Sequence, residues 1–351
     1  LEEYIDLKIV CKTSEKVLEM IDLKKKGGLV EFLNNQIAQE RKIISGIIES
    51  EEAQKELFEI KDEISKILSE NEIIPPQQGN PNYQFVGPTE ELIYGFVGET
   101  NTAGSYDSRM NFIVVKISEE EIKNKSLSAA RKSTFAHEYW HYISGEPIDQ
   151  NIQFKNPIYS KSGFLVEDAE EGFNKEQTKL NEGSTELLAR MTVDRLGLYE
   201  HKKYGDHPYD QYVAMMLGIH KVIAGEVSLE IIDDQNYAKV KPEIVKLILE
   251  DYIGKDGILN FGRRLEKEIG KYANLVFEYF SKINDYDRLM EFLSAAKIYK
   301  DTGKLPEKNL YFLNFNNFSL DYDVSEEEFK KTYPFFDGLY VLPWTKKYRE
   351  L

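Results

Sequence analysis

The sequence predicts an α+β protein that is predominantly helical and carries one small sheet. Most of the chain places apolar residues at helical spacing, which is the pattern of amphipathic helices. Two short segments, 91–99 and 109–118, are instead rich in aromatic and β-branched residues, as strands are. At 351 residues, the chain has room for one large domain or two moderate ones, without disulfides or metal for stability.

The N-terminal part of the chain is predicted to be helical. Residues 12 to about 72 contain no proline and repeat apolar residues at helical spacing, which indicates two or three helices. The segment IIPPQQGNPNYQFVGP (73–88) then brings four prolines and two glycines, which end helical structure. We interpret this segment as a linker or long loop that closes a helical N-terminal region at 1–76.

The next elements alternate between strand and helix. The segments ELIYGFVGE and RMNFIVVKIS predict a β-hairpin or two neighbouring strands, separated by the turn-forming TNTAGSYDS. Helical character returns from Leu127 to Ser144, with Ser126 or Ser128 as the N-cap and Gly145 as the stop. A short hairpin is expected in IYSKSGFLVE, further along.

The second half of the chain is predicted to be mostly helical. One helix runs from about 178 to 196 and stops at Gly197, and others are expected at about 208–224, 241–253, 258–282 and 284–300. We therefore predict one domain over 77–300, with an upper part at 77–145 and a helical lower part at 146–300. The aromatic-rich tail at 301–351 is predicted to pack on the core.

Charge and hydropathy argue against several classes of protein. The chain has 45 basic and 61 acidic residues, and its net charge of -16 opposes binding to nucleic-acid phosphates. No apolar run approaches the roughly 18 to 20 residues that a membrane helix needs. We expect a soluble chain, either cytoplasmic or exported with a signal or anchor outside this sequence. The oligomeric state is not indicated.

The segment STFAHEYWHYISG (133–145) carries two of the five histidines, one helical turn apart. On a helix, His137 and His141 share a face and can direct their ring nitrogens to one zinc ion. Glu138 borders that face, where its carboxylate would lie near a water molecule on the metal. Since Cys11 is the only cysteine, a metal would have to be held by His, Asp or Glu. The alternative is an amphipathic helix whose histidines are merely packed.

A catalytic zinc site needs a third protein ligand, and the segment KLNEGSTELLAR (179–190) offers one. Glu182 and Glu186 lie one turn apart, so one carboxylate could bind the metal while the other orients a ligand imidazole. The alternative is a solvated charged face on which Glu186 pairs with Arg190.

HEYWH followed by LNEGSTE resembles the gluzincin zinc metallopeptidases, which include the thermolysin-like and aminopeptidase-like enzymes. In these families the third zinc ligand is the glutamate of an asparagine–glutamate pair on a later helix. The resemblance implies a zincin-like catalytic domain with a small sheet, an active-site helix and a helical C-terminal subdomain. It also implies one Zn²⁺ per chain, with His137, His141 and Glu182 as ligands.

The same resemblance implies zinc-dependent hydrolysis of a peptide bond in a peptide or protein substrate, and we expect an endopeptidase. Glu138 would be the general base. Asn181 and Glu186 would orient the metal ligands without binding the metal themselves. The 40 residues between His141 and Glu182 exceed the usual gap in these families, so this chain would carry an insertion.

Peptide hydrolysis also needs a group that stabilises the developing oxyanion. Tyr209 and His207, in GDHPYDQY just after the ligand helix, are the candidates. Alternatives are Tyr159, Tyr204 and Tyr237. The segment NFIVVKI is either an edge strand that pairs with an extended substrate or plain sheet core.

Two other classes of function stay open. One is a zincin-fold binding protein or toxin subunit whose metal is structural or absent. The other is a helical interaction scaffold, suggested by residues 1–72 and 208–300. A scaffold would take up no metal and would lose no stability on chelation.

Overall fold

A computed structural model of the chain describes most of its first three hundred residues. The described residues are 28–77, 79–94, 103–107, 111–147, 159–168, 172–173, 178–198, 209–225, 240–254, 257–270, 273, 276 and 286–303. They divide into two compact units. The first comprises residues up to Ser65, Gly79–Tyr142 and the stretch from Thr192, and the second comprises Lys66–Gln78, Ile143–Met191 and the described residues beyond 200. The domain boundaries expected from the sequence stay predictions.

The first unit begins with two helices, α1 (Leu29–Ile48) and most of α2 (Glu51–Glu70). Both bury residues at helical spacing, and in α1 these are Leu29, Leu33, Ile37, Ile44 and Ile47. Ser50 separates the helices and caps the second one, because its hydroxyl accepts a hydrogen bond from the Ala53 N–H at 3.2 Å. The two helices confirm the prediction within the described part of 12–72.

A three-stranded mixed sheet follows in the same unit. It contains β1 (Asn82–Val86), β2 (Gly104–Asp107) and β3 (Phe112–Lys116) in the order β1-β3-β2. β3 pairs in parallel with β1 and antiparallel with β2. The strand predicted in RMNFIVVKIS is therefore confirmed, but it lies in the centre of the sheet. Its interpretation as an edge strand is wrong, and the interpretation as sheet core holds.

Two other expectations for this region need correction. Residues 91–94 belong to a helix, α3 (Pro88–Tyr94), and not to the predicted strand. Proline at the first helical position and two glutamates in the first turn favour a helix start there, and these signals outweigh the β-branched composition. The strands that flank β3 come instead from the predicted linker and the predicted turn, because their pairing with β3 outweighs their local composition.

The helix predicted from 127 to 144 is α5 (Ala129–Ser144), preceded by the short α4 (Glu119–Asn124). Ser128 caps α5, since its hydroxyl accepts the Arg131 N–H at 3.1 Å. The buried carboxylate of Glu121 accepts the backbone N–H groups of Ser118 at 2.9 Å and Ser128 at 3.0 Å. One side chain of α4 therefore fixes the start of both helices.

The second unit contains a four-stranded antiparallel sheet. Its strands, in spatial order, are β4 (Gly145–Pro147), β5 (Tyr159–Ser162), β6 (Leu165–Asp168) and β7 (Gly172–Phe173). β5 and β6 form the hairpin that the sequence predicts, and Gly163 turns it with a φ of 60°. A side chain is disfavoured in that left-handed conformation, which is why glycine stands at the turn.

Helices make up the rest of the second unit. They are α6 (Thr178–Arg195), which belongs to this unit as far as Met191, α7 (Asp210–Ile223), α8 (Pro242–Ile253), α9 (Gly257–Ile269) and α10 (Tyr286–Thr302). The predicted helices are confirmed, although α9 ends at Ile269 because Gly270 takes a left-handed φ of 64°. The predominantly helical α+β class is confirmed. The prediction that the tail at 301–351 packs on the core is not tested, because residues from 304 onward lie outside the described part of the chain.

Membrane spanning finds no support in these helices. Among the described residues, none of them is both long enough and apolar enough to cross a bilayer.

Candidate metal centre

The helix that carries the HEYWH segment is anchored by its aromatic residues. Phe135 and Trp140 of α5 are completely buried, and the Trp140 indole N–H donates to the hydroxyl of Thr192 on α6 at 3.0 Å. This hydrogen bond joins the two helices that carry the predicted metal ligands. Because a buried indole N–H needs a partner, it also restricts how α5 can rotate against α6.

His137 and His141 point to a common position on α5, as their spacing predicts. Both are largely buried, and their Nε2 atoms lie 3.1 Å apart. Two ring nitrogens that face each other with lone pairs repel unless a proton or a cation lies between them. Two imidazole ligands of a tetrahedral zinc ion, each bound at about 2.0 to 2.1 Å, have nitrogens about 3.3 Å apart. The observed separation therefore fits two ligands of one ion.

Glu182 of α6 completes the group. One ligand atom each from His137, His141 and Glu182 lies within 4.8 Å of the other two. We call these three residues the metal triad, and within the described ranges it is the single such group of three. Two imidazole nitrogens and one carboxylate oxygen leave a fourth position of a tetrahedral ion open for water or substrate. The predicted convergence of the three side chains is confirmed, and together they could hold a metal ion.

Glu138 is buried next to the first ligand, and strand β2 passes directly against it. A Cβ atom built on Gly104 would lie 2.8 Å from the Glu138 Oε1 atom and 2.7 Å from the Thr134 methyl carbon. The backbone approaches so closely that only glycine fits there without displacing the carboxylate. Sequence reasoning missed Gly104 because it lies in a segment that predicts a turn. The available signal was a glycine beside β-forming residues, which often marks a close backbone approach.

Asn181, the residue before the third ligand, holds the β5–β6 hairpin. Its Oδ1 atom accepts the Phe164 N–H at 2.9 Å. The Thr185 hydroxyl donates to the Asn181 carbonyl at 2.8 Å and lies 2.5 Å from the Tyr252 hydroxyl. These contacts attach the ligand helix to the hairpin and to α8. The role of Asn181 as a support for the metal ligands stays a prediction.

Glu186 pairs with Arg190, as the alternative interpretation expected, but the pair is buried. The Arg190 Nε atom lies 2.7 Å from Glu186, and its Nη1 atom lies 2.7 Å from Asp210 on α7. The Arg190 side chain is 1% exposed, so the solvated charged face is not observed. Two carboxylates around one guanidinium satisfy the buried charge and fasten α6 to α7. Support of the zinc ligands by Glu186 stays a prediction.

Tyr212 on α7 is a neighbour of Glu182 that the sequence motifs did not indicate. A Cβ atom on Gly183 would lie 2.7 Å from the Tyr212 carbonyl oxygen, so this glycine lets α7 approach α6 beside Glu182. Burial raises the pKa of the Tyr212 phenol, and the negative charge of Glu182 raises it further. The Lys179 ammonium lies over the ring, 5.9 Å from its centroid. The phenol therefore lies close enough to Glu182 to interact with its charge.

Only some of the residues predicted to stabilise an oxyanion lie within the described part of the chain. Tyr209 lies just before α7 and packs with its ring 6.0 Å from that of Tyr212. His207, Tyr204 and Tyr237 lie outside the described residues, and Tyr159 belongs to β5. Their roles stay predictions. Tyr212 stands in the same GDHPYDQY segment, but nothing within the segment indicates which of its tyrosines lies near Glu182.

No protein-family model, no curated protein and no solved structure matches this chain. The resemblance to gluzincins therefore rests on the two sequence motifs and on the geometry of the metal triad.

Proposed function

We propose that this protein is a zinc-dependent peptidase whose metal is held by His137, His141 and Glu182. The observation that carries the proposal is the convergence of these three side chains within 4.8 Å, because two separate motifs predicted them as ligands. Two imidazoles and one carboxylate suit zinc better than magnesium or calcium, which prefer ligand sets made of oxygen. The gluzincin pattern supports hydrolysis of peptide bonds as the reaction.

Glu138 is the general base in this proposal. When bound, zinc supplies Lewis acidity, which lowers the pKa of a water molecule towards about 7 and polarises the scissile carbonyl. Glu138 accepts a proton from the attacking water and passes it to the leaving amine. The close approach of Gly104 supports this role, since a strand backbone against the carboxylate limits the orientations that the carboxylate can adopt.

We assign stabilisation of the oxyanion to the Tyr212 phenol. A hydroxyl donor placed where negative charge develops contributes most in a site from which water is excluded. The effect of the Glu182 charge on the Tyr212 phenol favours it over Tyr209, and the approach of the Tyr212 backbone to Gly183 holds this part of α7 beside α6. His207 stays an alternative.

Strand β2 is the proposed docking element for an extended peptide. Within the described part of the sheet, β2 lies at one end, whereas β3 has a partner on each side. An extended substrate can add to such an edge through main-chain hydrogen bonds. Because Gly104 of β2 lies against Glu138, a peptide paired with this strand would pass beside the general base.

The test combines zinc analysis with cleavage of a peptide library by the wild type and by Glu138→Gln. We expect one zinc ion per chain in both proteins. Loss of the base should lower kcat/KM by about 10²-fold to 10⁴-fold. Glu63→Gln is a matched control, because Glu63 is a buried glutamate that pairs with Arg195 and has no role in the proposed chemistry.

Other outcomes separate the rival functions. Stoichiometric zinc without any cleavage that Glu138→Gln abolishes would refute the peptidase and favour a binding protein or toxin subunit. A chain that takes up no zinc and keeps its melting temperature in a chelator would instead favour the helical scaffold.

A further inference from the structure

Lys179 lies on the same face of the ligand helix as the third metal ligand. Residues three and four positions apart are neighbours on a helix, with about 5 to 6 Å between their Cβ atoms. Lys179 therefore neighbours both Glu182 and Gly183 on α6. Gly183 is where α7 makes its close approach, and the Lys179 ammonium lies 5.9 Å from the centroid of the Tyr212 ring. The helix thus presents a positive charge one turn from a metal ligand.

The Lys179 ammonium is partly desolvated, and no acid of the described ranges compensates for this. Burial lowers its pKa, and no carboxylate offsets that effect. Among the residues that the structure describes, it forms no ion pair. Arg190 on the same helix differs, because two buried carboxylates neutralise it. A half-buried cation with no partner gains more from an incoming anion than a fully hydrated cation does.

We propose that Lys179 is a specificity-determining residue that binds a carboxylate group of the substrate beside the scissile bond. This inference rests on the proposed peptidase function. An extended peptide advances about 3.3 Å per residue, so a charge one helical turn from a proposed metal ligand would face a residue within one or two positions of the cleaved bond. The carboxylate belongs either to an internal Asp or Glu side chain or to a free C-terminus.

Matched peptides test this preference. One fluorogenic sequence is prepared with Glu, Gln or Lys at each of the two positions on either side of the cleaved bond, and with a free or amidated C-terminus. The wild type should cleave one acidic form with a kcat/KM about fivefold above that of its neutral counterpart. A preference for Glu at an internal position identifies a side-chain carboxylate, whereas a preference for the free terminus identifies a C-terminal one. The difference should shrink as ionic strength rises.

Variants of Lys179 assign the preference to this side chain. Lys179→Met should cleave the acidic and neutral peptides equally, Lys179→Arg should keep the preference, and Lys179→Glu should favour the Lys peptide. Lys246→Met is the control, because that lysine is already paired with Glu72. Equal cleavage of all peptides by the wild type, or a preference for Glu that survives in Lys179→Met, would overturn the inference.

A binding measurement separates this inference from the proposed chemistry. The affinity of Glu138→Gln for the same peptides is measured by calorimetry, with and without Lys179→Met. Tighter binding of the acidic peptide that Lys179→Met abolishes would support the carboxylate site, even if the wild type cleaves nothing and the peptidase proposal fails. Cleavage without any effect of charge on rate or affinity would leave the peptidase intact and refute the role of Lys179.

Discussion

The metal triad and the pair formed by His220 and Asp251 both bring imidazole to carboxylate, but the surroundings of the two groups differ. His220 on α7 and Asp251 on α8 are fully buried, with Nε2 and Oδ2 3.4 Å apart. The other oxygen of Asp251 lies 2.7 Å from the Arg264 guanidinium. In the metal triad, by contrast, three possible ligand atoms converge and Glu182 is partly exposed.

The second nitrogen of His220 explains why this pair is structural. Its Nδ1 atom lies 2.9 Å from the Met216 carbonyl, which can only accept, so Nδ1 must carry a proton. Nε2 and the Asp251 Oδ2 atom have no other hydrogen-bond partner among the described residues. The Nε2 lone pair of His220 and the Oδ2 atom of Asp251 then face each other as two acceptors, and a single proton between them would remove their repulsion. Burial accordingly raises the pKa of Asp251.

The comparison shows that residue type alone does not distinguish a metal site from a buried ion pair. Among the described residues, no third ligating side chain joins His220 and Asp251, so they do not form a group of three converging ligands. A metal site requires that the lone pairs of several side chains meet at one point.

Loss of one ligand should separate the two histidine sites most strongly. His141→Ala should weaken zinc binding by more than the roughly 100-fold that losing a supporting residue costs, and cleavage should cease. His220→Asn should bind zinc like the wild type, because His220 lies in a closed ion pair. Competition with a chromophoric chelator measures both affinities. Equal losses in the two variants would show that the distinction is false.

Breaking the buried pair should affect stability and leave metal binding unchanged. Asp251→Ala removes the acidic partner of the buried His220 and one of the two carboxylates that pair with Arg264, so the free energy of unfolding should fall by about 3 to 5 kcal/mol. Urea unfolding measures the loss, and zinc titration below the melting temperature serves as the control. A loss under about 1 kcal/mol would mean that the pair contributes little.

Gly104→Ala should damage the triad region without removing a ligand. The new methyl group would displace the Glu138 carboxylate, and a shift of about 1 Å in a catalytic group costs about 100-fold in rate. Zinc affinity should stay within about threefold of that of the wild type, since all three residues of the metal triad are kept. Gly46→Ala, where nothing lies within 4 Å, should leave the rate unchanged and stabilise α1 by about 0.5 to 1 kcal/mol. A Gly104→Ala protein with full activity would contradict the proposed role of the strand.

Chelation should destabilise the wild type and spare the ligand variant. Zinc at about 100 times its Kd stabilises the native state by about 2.7 kcal/mol, and a chelator removes that contribution. Thermal unfolding with and without the chelator should therefore differ for the wild type and for Asp251→Ala. His141→Ala should show no difference, and a shift in that variant would locate the metal elsewhere.

Glu121 provides a third kind of buried carboxylate, surrounded by hydrogen-bond donors. Burial raises its pKa, but hydrogen bonds from Ser118 and Ser128 and the charge of Arg131 lower it more, so the net shift is downward. A carboxyl group whose pKa is lowered by folding stabilises the folded state at pH values above its usual pKa of 4.5. This stabilisation is lost as the pH falls through the pKa of the group in the folded protein. At pH 7 the free energy of unfolding of the wild type should exceed that of Glu121→Gln by about 1 kcal/mol, and this difference should vanish in acid. A gap that stays constant below pH 4 would contradict the assigned donors.

The features of this fold that depend on neighbouring residues could be predicted from the sequence. Ser128 as one of two possible caps, the hairpin in IYSKSGFLVE and Gly197 as a helix stop were each predicted, because capping and tight turns depend on residues close in sequence. The shared face of His137 and His141 followed from helical geometry in the same way.

Other features depended on residues far apart in the chain. NFIVVKI is a central strand because β1 and β2 pair with it, and nothing within the segment encodes those partners. Glu186 and Arg190 form a buried pair instead of a solvated one because Asp210 arrives from α7. Tyr212 was overlooked in favour of Tyr209 because the approach of α7 to α6, which occurs at Gly183, is not encoded within either segment.

The sequence by itself determined the helical class, several helix ends and the residue types that could bind a metal, since these follow from periodicity and from the chemistry of single side chains. Tertiary structure alone decided that Glu182 meets the two histidines, that His220 lies between Met216 and Asp251, and that Lys179 pairs with no acid within the described part of the chain. The physical reason is that a ligand set, a buried charge and an unpaired charge are each defined by neighbours, and those neighbours come from distant segments.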